Sequence, residues 1–77
     1  MTVLGITRPL VHKNPDGGWQ IAYCQARHSL EDGRNVYTCL PGAIIMPAAS
    51  WESGMMVAAT LAETHRVFEC MITPVPR

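Results

Sequence analysis

Charge is scarce in this chain, and what there is cancels: six Lys and Arg stand against six Asp and Glu in 77 residues. Proteins that neutralise phosphates gather their cations into a patch or stripe. Here the basic residues are scattered, so nucleic acid is not an expected partner. Aromatic residues are few as well, one Phe, two Tyr and two Trp, which is thin for a platform that stacks successive bases. No apolar run approaches the roughly 20 residues that cross a bilayer as a helix, so no membrane partner is expected. The opening stretch MTVLGITRP lacks the basic and then apolar pattern of a secretory signal. Cysteine occurs three times, at Cys24, Cys39 and Cys70. An odd number without a signal predicts reduced thiols and a cytoplasmic setting. Phosphate-cradling Gly-rich loops, HExxH and EF-hand loops are all missing, and Gly17-Gly18 reads as a turn.

A hydrophobic content of 48% belongs to a folded chain, read here as a single small domain over 1–77. A chain this short buries only about 60% of its unfolded surface, so its core is small. A second subunit is one way to compensate, which makes a homodimer an expectation.

The stretch 50–66, SWESGMMVAATLAETHR, is the clearest helix. Ser50 is a good N-cap, and Glu52 complements the positive end of the helix dipole. Trp51, Met55, Ala58 and Ala62 follow helical spacing and are expected to form the stripe that packs on a sheet. Gly54 costs a helix about 1 kcal/mol relative to alanine, which implies a packing reason. Met56 and Val57 fall on the polar side, and Met56 is a candidate for a partner-binding face because methionine adapts to irregular contacts.

Strands account for the remainder. Residues 2–11 form an edge strand or one broken near Pro9, which cannot donate to a ladder. Lys13-Asn14-Pro15-Asp16-Gly17-Gly18 is a turn signal. Residues 19–30 and 35–40 form a hairpin about Asp32-Gly33, a favoured two-residue loop. With Glu31 opposite Arg34, the register sets His28 opposite Tyr37, Arg27 opposite Thr38, Ala26 opposite Cys39 and Gln25 opposite Leu40. Alternation puts Ala22, Cys24, Ala26 and His28 on one face, the one expected under the helix. Trp19, Ile21 and Tyr23 share the other face and weigh against that choice. Pro41-Gly42 is expected to end the strand. Residues 43–46 are a short apolar run, either strand or covering loop, and 67–72 a last strand that pairs in parallel with 44–46 if that run is a strand. Residues 73–77 form an extended tail. The fold class is therefore α+β: a small antiparallel sheet of about three to five strands, one helix on a face, and a strand after it.

The chemistry-bearing constellation is Cys24, His28 and Cys39, with His65 and Cys70 farther along. Zinc takes four ligands, often from paired Cys-x2-Cys knuckles, and no such knuckle occurs. Buried thiols that pack as small hydrophobes are the expectation, with no metal and no cofactor. A Cys–His nucleophile, Cys24 with His28 or Cys70 with His65, lacks any supporting local signature. The functional expectation is a non-catalytic protein-binding module, an inhibitor, adaptor or regulatory protein. Compact binders of that kind are common among phage and mobile-element proteins. Its candidate contact residues are Trp19, Tyr23, Arg27 and Met56, types enriched or adaptable at interfaces. The alternatives are a nucleic-acid-binding regulator that uses Arg8, Arg27 and Arg34, and a small zinc- or cysteine-dependent enzyme.

Overall fold

A computed structural model describes residues 2–70, with the side chain of Thr2 left aside. The expected tail 73–77, and the 71–72 end of the last strand, lie outside the described residues. The chain runs β1 (Thr2–Thr7), β2 (Leu10–Lys13), β3 (Trp19–Glu31), β4 (Arg34–Ala48), α1 (Trp51–Thr64) and β5 (Val67–Phe68). The fold is α+β: a five-stranded sheet, one helix against it and a strand after the helix. The sheet is mixed, because β5 pairs parallel with β1 while every other pair is antiparallel.

β3 is the axis. β4 follows it from Trp19 opposite Ala48 to Glu31 opposite Arg34. β1 and β2 share its other edge in tandem, β1 against its second half and β2 against its first. Asp32 and Gly33 both have positive φ, 51° and 74°, the two-residue turn whose twist suits a hairpin. The expected pairs of His28, Arg27 and Ala26 hold. Gln25 opposite Leu40 does not, because the register shifts between Cys24 and Ala26. One residue of β3 there faces three of β4, the residues 40–42, and Gly42 takes φ +93°. The strand therefore does not end at Pro41-Gly42. It bulges and continues, and the apolar run 43–46 pairs antiparallel with β3, not parallel with the last strand.

The opposite edge breaks at nearly the same level. Arg8 and Pro9 separate β1 from β2, as a proline without an N–H requires. Thr7, fully buried, repairs the ladder there: its Oγ1 accepts the Cys24 N–H at 2.8 Å. A buried N–H without such a partner costs about 1–3 kcal/mol.

Ser50 caps α1 as expected. Its hydroxyl accepts the Ser53 N–H at 3.2 Å, and Ser53 Oγ accepts the Ser50 N–H at 3.2 Å, a reciprocal pair of caps. The packing stripe differs from the expected one. Gly54 and Ala58 are buried and Leu61 is half-buried, whereas Trp51, Met55 and Ala62 are exposed. The helix is turned by roughly 60° from the expected orientation, at 100° per residue. Gly54 explains the rotation: a Cβ on it would lie 2.8 Å from Val11 Cγ1 and 3.5 Å from the Ala48 Cβ. The sheet and helix backbones approach where a side chain is missing, so glycine sets the contact and the bulky Trp51 and Met55 are left at the flank.

The covered face also differs from the expectation. Val11 pairs with Ile21 and Ala48 with Trp19, so the helix lies on the face of Trp19, Ile21 and Tyr23. Ile21 is 1% exposed and contributes about 1.5–3 kcal/mol by leaving water. The Cys24–Ala26–His28 face looks the other way and is partly covered by Phe68 of β5.

Two substitutions test this arrangement. Thr7→Val keeps the shape and removes the acceptor, so urea unfolding is expected to show a loss of about 1–3 kcal/mol. A loss below about 0.5 kcal/mol would mean the Cys24 N–H has another partner. Ala58→Glu is expected to prevent folding, because it puts a charge between helix and sheet. Ala62→Glu is expected to melt within a few degrees of the parent, since surface changes cost about 0.5 kcal/mol or less. Equal damage from both would restore the stripe centred on Trp51, Met55, Ala58 and Ala62.

Candidate functional site

Three rows of paired residues build the open face of the sheet. Val3, His28 and Tyr37 form one, Gly5, Ala26 and Cys39 the next, and Cys24 and Ala43 lie in the third. Phe68 is brought over them by β5. A Cβ on Gly5 would collide with the Arg66 carbonyl oxygen and the Phe68 ring, so this glycine is what lets the ring lie down on the sheet. Ala26, 0% exposed, sits in the row beneath. The rings of His28 and Tyr37 stack at 5.0 Å and 21°, and Phe68 closes the trio at 5.6 Å from His28 and 5.8 Å from Tyr37. His28 Nε2 is held 2.9 Å from Asn35 Oδ1, which accepts its proton in that tautomer.

The three cysteines converge beside the trio. Cys24, Cys39 and Cys70 are half-buried thiols. Burial pushes the Cys70 thiol up from 9.0 to about 11, helped by its hydrogen bond to Cys39 and by the charges that Cys39 and Cys24 would carry. Burial, then Cys39, raises Cys24 in the same direction. A thiol raised in this way is a poor nucleophile at neutral pH, because the thiolate is the reactive form. His28 directs its Nε2 to Asn35, and His65 caps the C-terminus of α1 at an exposed position. Among the described residues no group of three or more His, Cys, Asp or Glu side chains is arranged to hold a metal. A cleft of about 300 Å³ lies at the edge of this region, lined by Arg8, Leu10, Phe68, Glu69 and Cys70.

The four candidate contact residues do not form one surface. Trp19 and Tyr23 are half-buried on the helix-bearing face, and Arg27 is exposed farther along it. Met56 is 72% exposed. It lies two residues from each of Gly54 and Ala58, hence on the side of the helix turned away from the sheet. Of the other arginines, Arg8 borders the cleft with Glu69, and Arg34 closes the hairpin opposite Glu31. No helix among the described residues is long and apolar enough to cross a membrane.

Sequence reasoning placed Cys24, His28, Tyr37 and Cys39 on one face and named Cys70 and His65 farther along; the structure brings Cys70 to the two thiols and leaves His65 at the exposed end of α1, and Phe68 as the cover was missed. The available signal was Gly5, a glycine inside an otherwise apolar strand, which marks close approach by another group. Comparison with protein-family models, curated proteins and solved structures finds no match for this chain.

The raised thiols have a pH signature. Between pH 9.0 and about 11 the unfolded chain has ionised where folded Cys70 keeps its proton. The native state then binds more protons, so its stability is full below that window and falls as pH rises through it. Iodoacetamide at pH 8 is expected to label Cys70 in the native protein at least about tenfold more slowly than in urea. Equal rates would show that the thiol is not held in this protected form.

Proposed function

We propose that the chain is a non-catalytic protein-binding module, an inhibitor, adaptor or regulatory protein of the cytosol, that works through apolar and aromatic side chains. One observation carries the reading. Among the described residues eleven large hydrophobic side chains are exposed, while the buried hydrophobic set is Ile6, Ile21, Phe68 and three alanines. Single exposed apolar residues are ordinary, but contiguous ones mark interaction sites. On the helix, Trp51 and Met55 are one turn apart at the flank and Met56 lies on the outward side, at 48%, 44% and 72% exposure. Tryptophan supplies a large anchor and methionine an adaptable one, the combination that suits a pocket or groove on another protein. Arg27 and Tyr23, with the exposed Leu4 and Ile44 on the same face, form a second strip beyond the helix. Trp19 stands at the other end of that face, paired with Lys13 and Ala48.

The thiols, raised and half-buried, support a structural role better than a catalytic one. The partner is a protein with an apolar groove, and the test is affinity capture followed by titration of the partner so identified. Met56→Glu and Trp51→Ser are each expected to weaken its binding at least about tenfold, as interface anchors do, with melting unchanged. Full affinity in both variants would remove the helix from the interface.

A further inference from the structure

We propose that Cys39 and Cys70 form an oxidation-sensitive pair: a small-molecule disulfide such as oxidised glutathione converts them to one intramolecular disulfide, which fastens the segment after β5 to β4 and leaves Cys24 as a thiol. Strand directions place the two side by side. β1 runs parallel to β5 and antiparallel to β3, and β3 runs antiparallel to β4. β5 and β4 therefore run the same way. The Phe68 ring lies 5.8 Å from the Tyr37 ring. Two residues farther along each segment, in the same direction, stand Cys70 and Cys39. Alternation keeps Cys39 on the face of Tyr37. The two thiols are hydrogen-bonded to each other.

Cys24 lies on the same face but is a poorer match. Cys39 is opposite Ala26, and Cys24 is two residues from Ala26. Such diagonal neighbours on paired strands are about 7–8 Å apart. A disulfide spans at most about 7 Å between Cα atoms unless the backbone moves. Cys24 and Cys39 both belong to the β3–β4 ladder, which resists that movement. Cys70 lies beyond β5 and in no strand, so no ladder holds its backbone in place.

The chemistry is thiol–disulfide exchange. One of the two sulfurs, as thiolate, attacks a sulfur of the small disulfide. A mixed disulfide forms, and one small thiolate leaves and takes a proton from water. The other protein thiol gives its proton to solvent and attacks the mixed disulfide at the protein sulfur, releasing the second small thiol. Two protein thiols are oxidised to one disulfide, and one small disulfide is reduced to two thiols. Burial keeps Cys70 protonated at neutral pH, so the exchange is slow there. Once made, the bond closes a loop of about 30 residues that includes α1 and β5, which restricts the unfolded chain. It also ties down the segment that carries Phe68 over His28 and Tyr37.

Incubation of the native protein with oxidised glutathione at pH 8, then alkylation, digestion and mass spectrometry, is expected to show Cys39 linked to Cys70 and Cys24 alkylated. The melting temperature is expected to rise by roughly 10 °C and to return when dithiothreitol is added. Cys24→Ser is expected to keep both responses, and Cys70→Ser to lose both. Glutathione left on Cys39 or Cys70 without a link between them overturns the proposal. So does a link that includes Cys24 or joins two chains, or a link that leaves the melting temperature unchanged. Failure of the native protein to react at all overturns it as well. These readings come from the unmodified chain, so they stand even if a variant fails to fold.

Discussion

The unbroken run of β3 through the sheet is the constraint on which the other elements depend. Its thirteen residues run without a break between neighbours on both edges, and both neighbours break near Cys24, β4 by bulging at 40–42 and the first strand by kinking at Pro9. β3 joins the half that carries the helix to the half that carries the aromatic trio without a bulge or a break. The Thr7 hydroxyl is placed at that junction because a ladder cannot be left open in a buried position, and a side-chain oxygen is the nearest replacement for the missing backbone partner.

Two glycines then decide what lies on each face. Gly54 brings the helix down beside Val11 on one side, and Gly5 brings Phe68 down beside Ala26 on the other. Both contacts rest on small groups, and the buried hydrophobic set is accordingly small. With a Cα radius of gyration of 13.5 Å, against roughly 11–12 Å for a compact chain of this length, the molecule is drawn out along the hairpin. An elongated two-layer body leaves large side chains outside, which the proposed partner would cover. The proposed protein-binding role follows from that deficit. It uses the helix and the strip of Leu4, Tyr23, Arg27 and Ile44 beyond it.

Much of this fold was legible in the residues. Asp32-Gly33 gave the hairpin and its register as far as Ala26, Pro9 the break in the first strand, Ser50 the start of the helix, and the α+β class followed from their order. The failures share a cause. The bulge at Pro41-Gly42 looked like a strand end because proline and glycine signal both, and only continued pairing with β3 distinguishes them. Hydrophobicity alone points the helix stripe through Trp51 and Met55, whereas close approach selects the glycine. Cys70 joined Cys24 and Cys39 through a parallel pairing of β5 with β1, a contact between residues some sixty positions apart that no local pattern announces.

What the sequence by itself determined are the features set by one or two residues at a time: turns, caps, the strand break and the alternation along β3. These depend on backbone angles and missing donors, which each residue carries with it wherever it goes. Which sheet face meets the helix, how the helix is rolled, and which thiols and rings gather on the opposite face were decided only in the tertiary structure. Those outcomes depend on how closely two backbones can approach, and that distance is a property of both surfaces together.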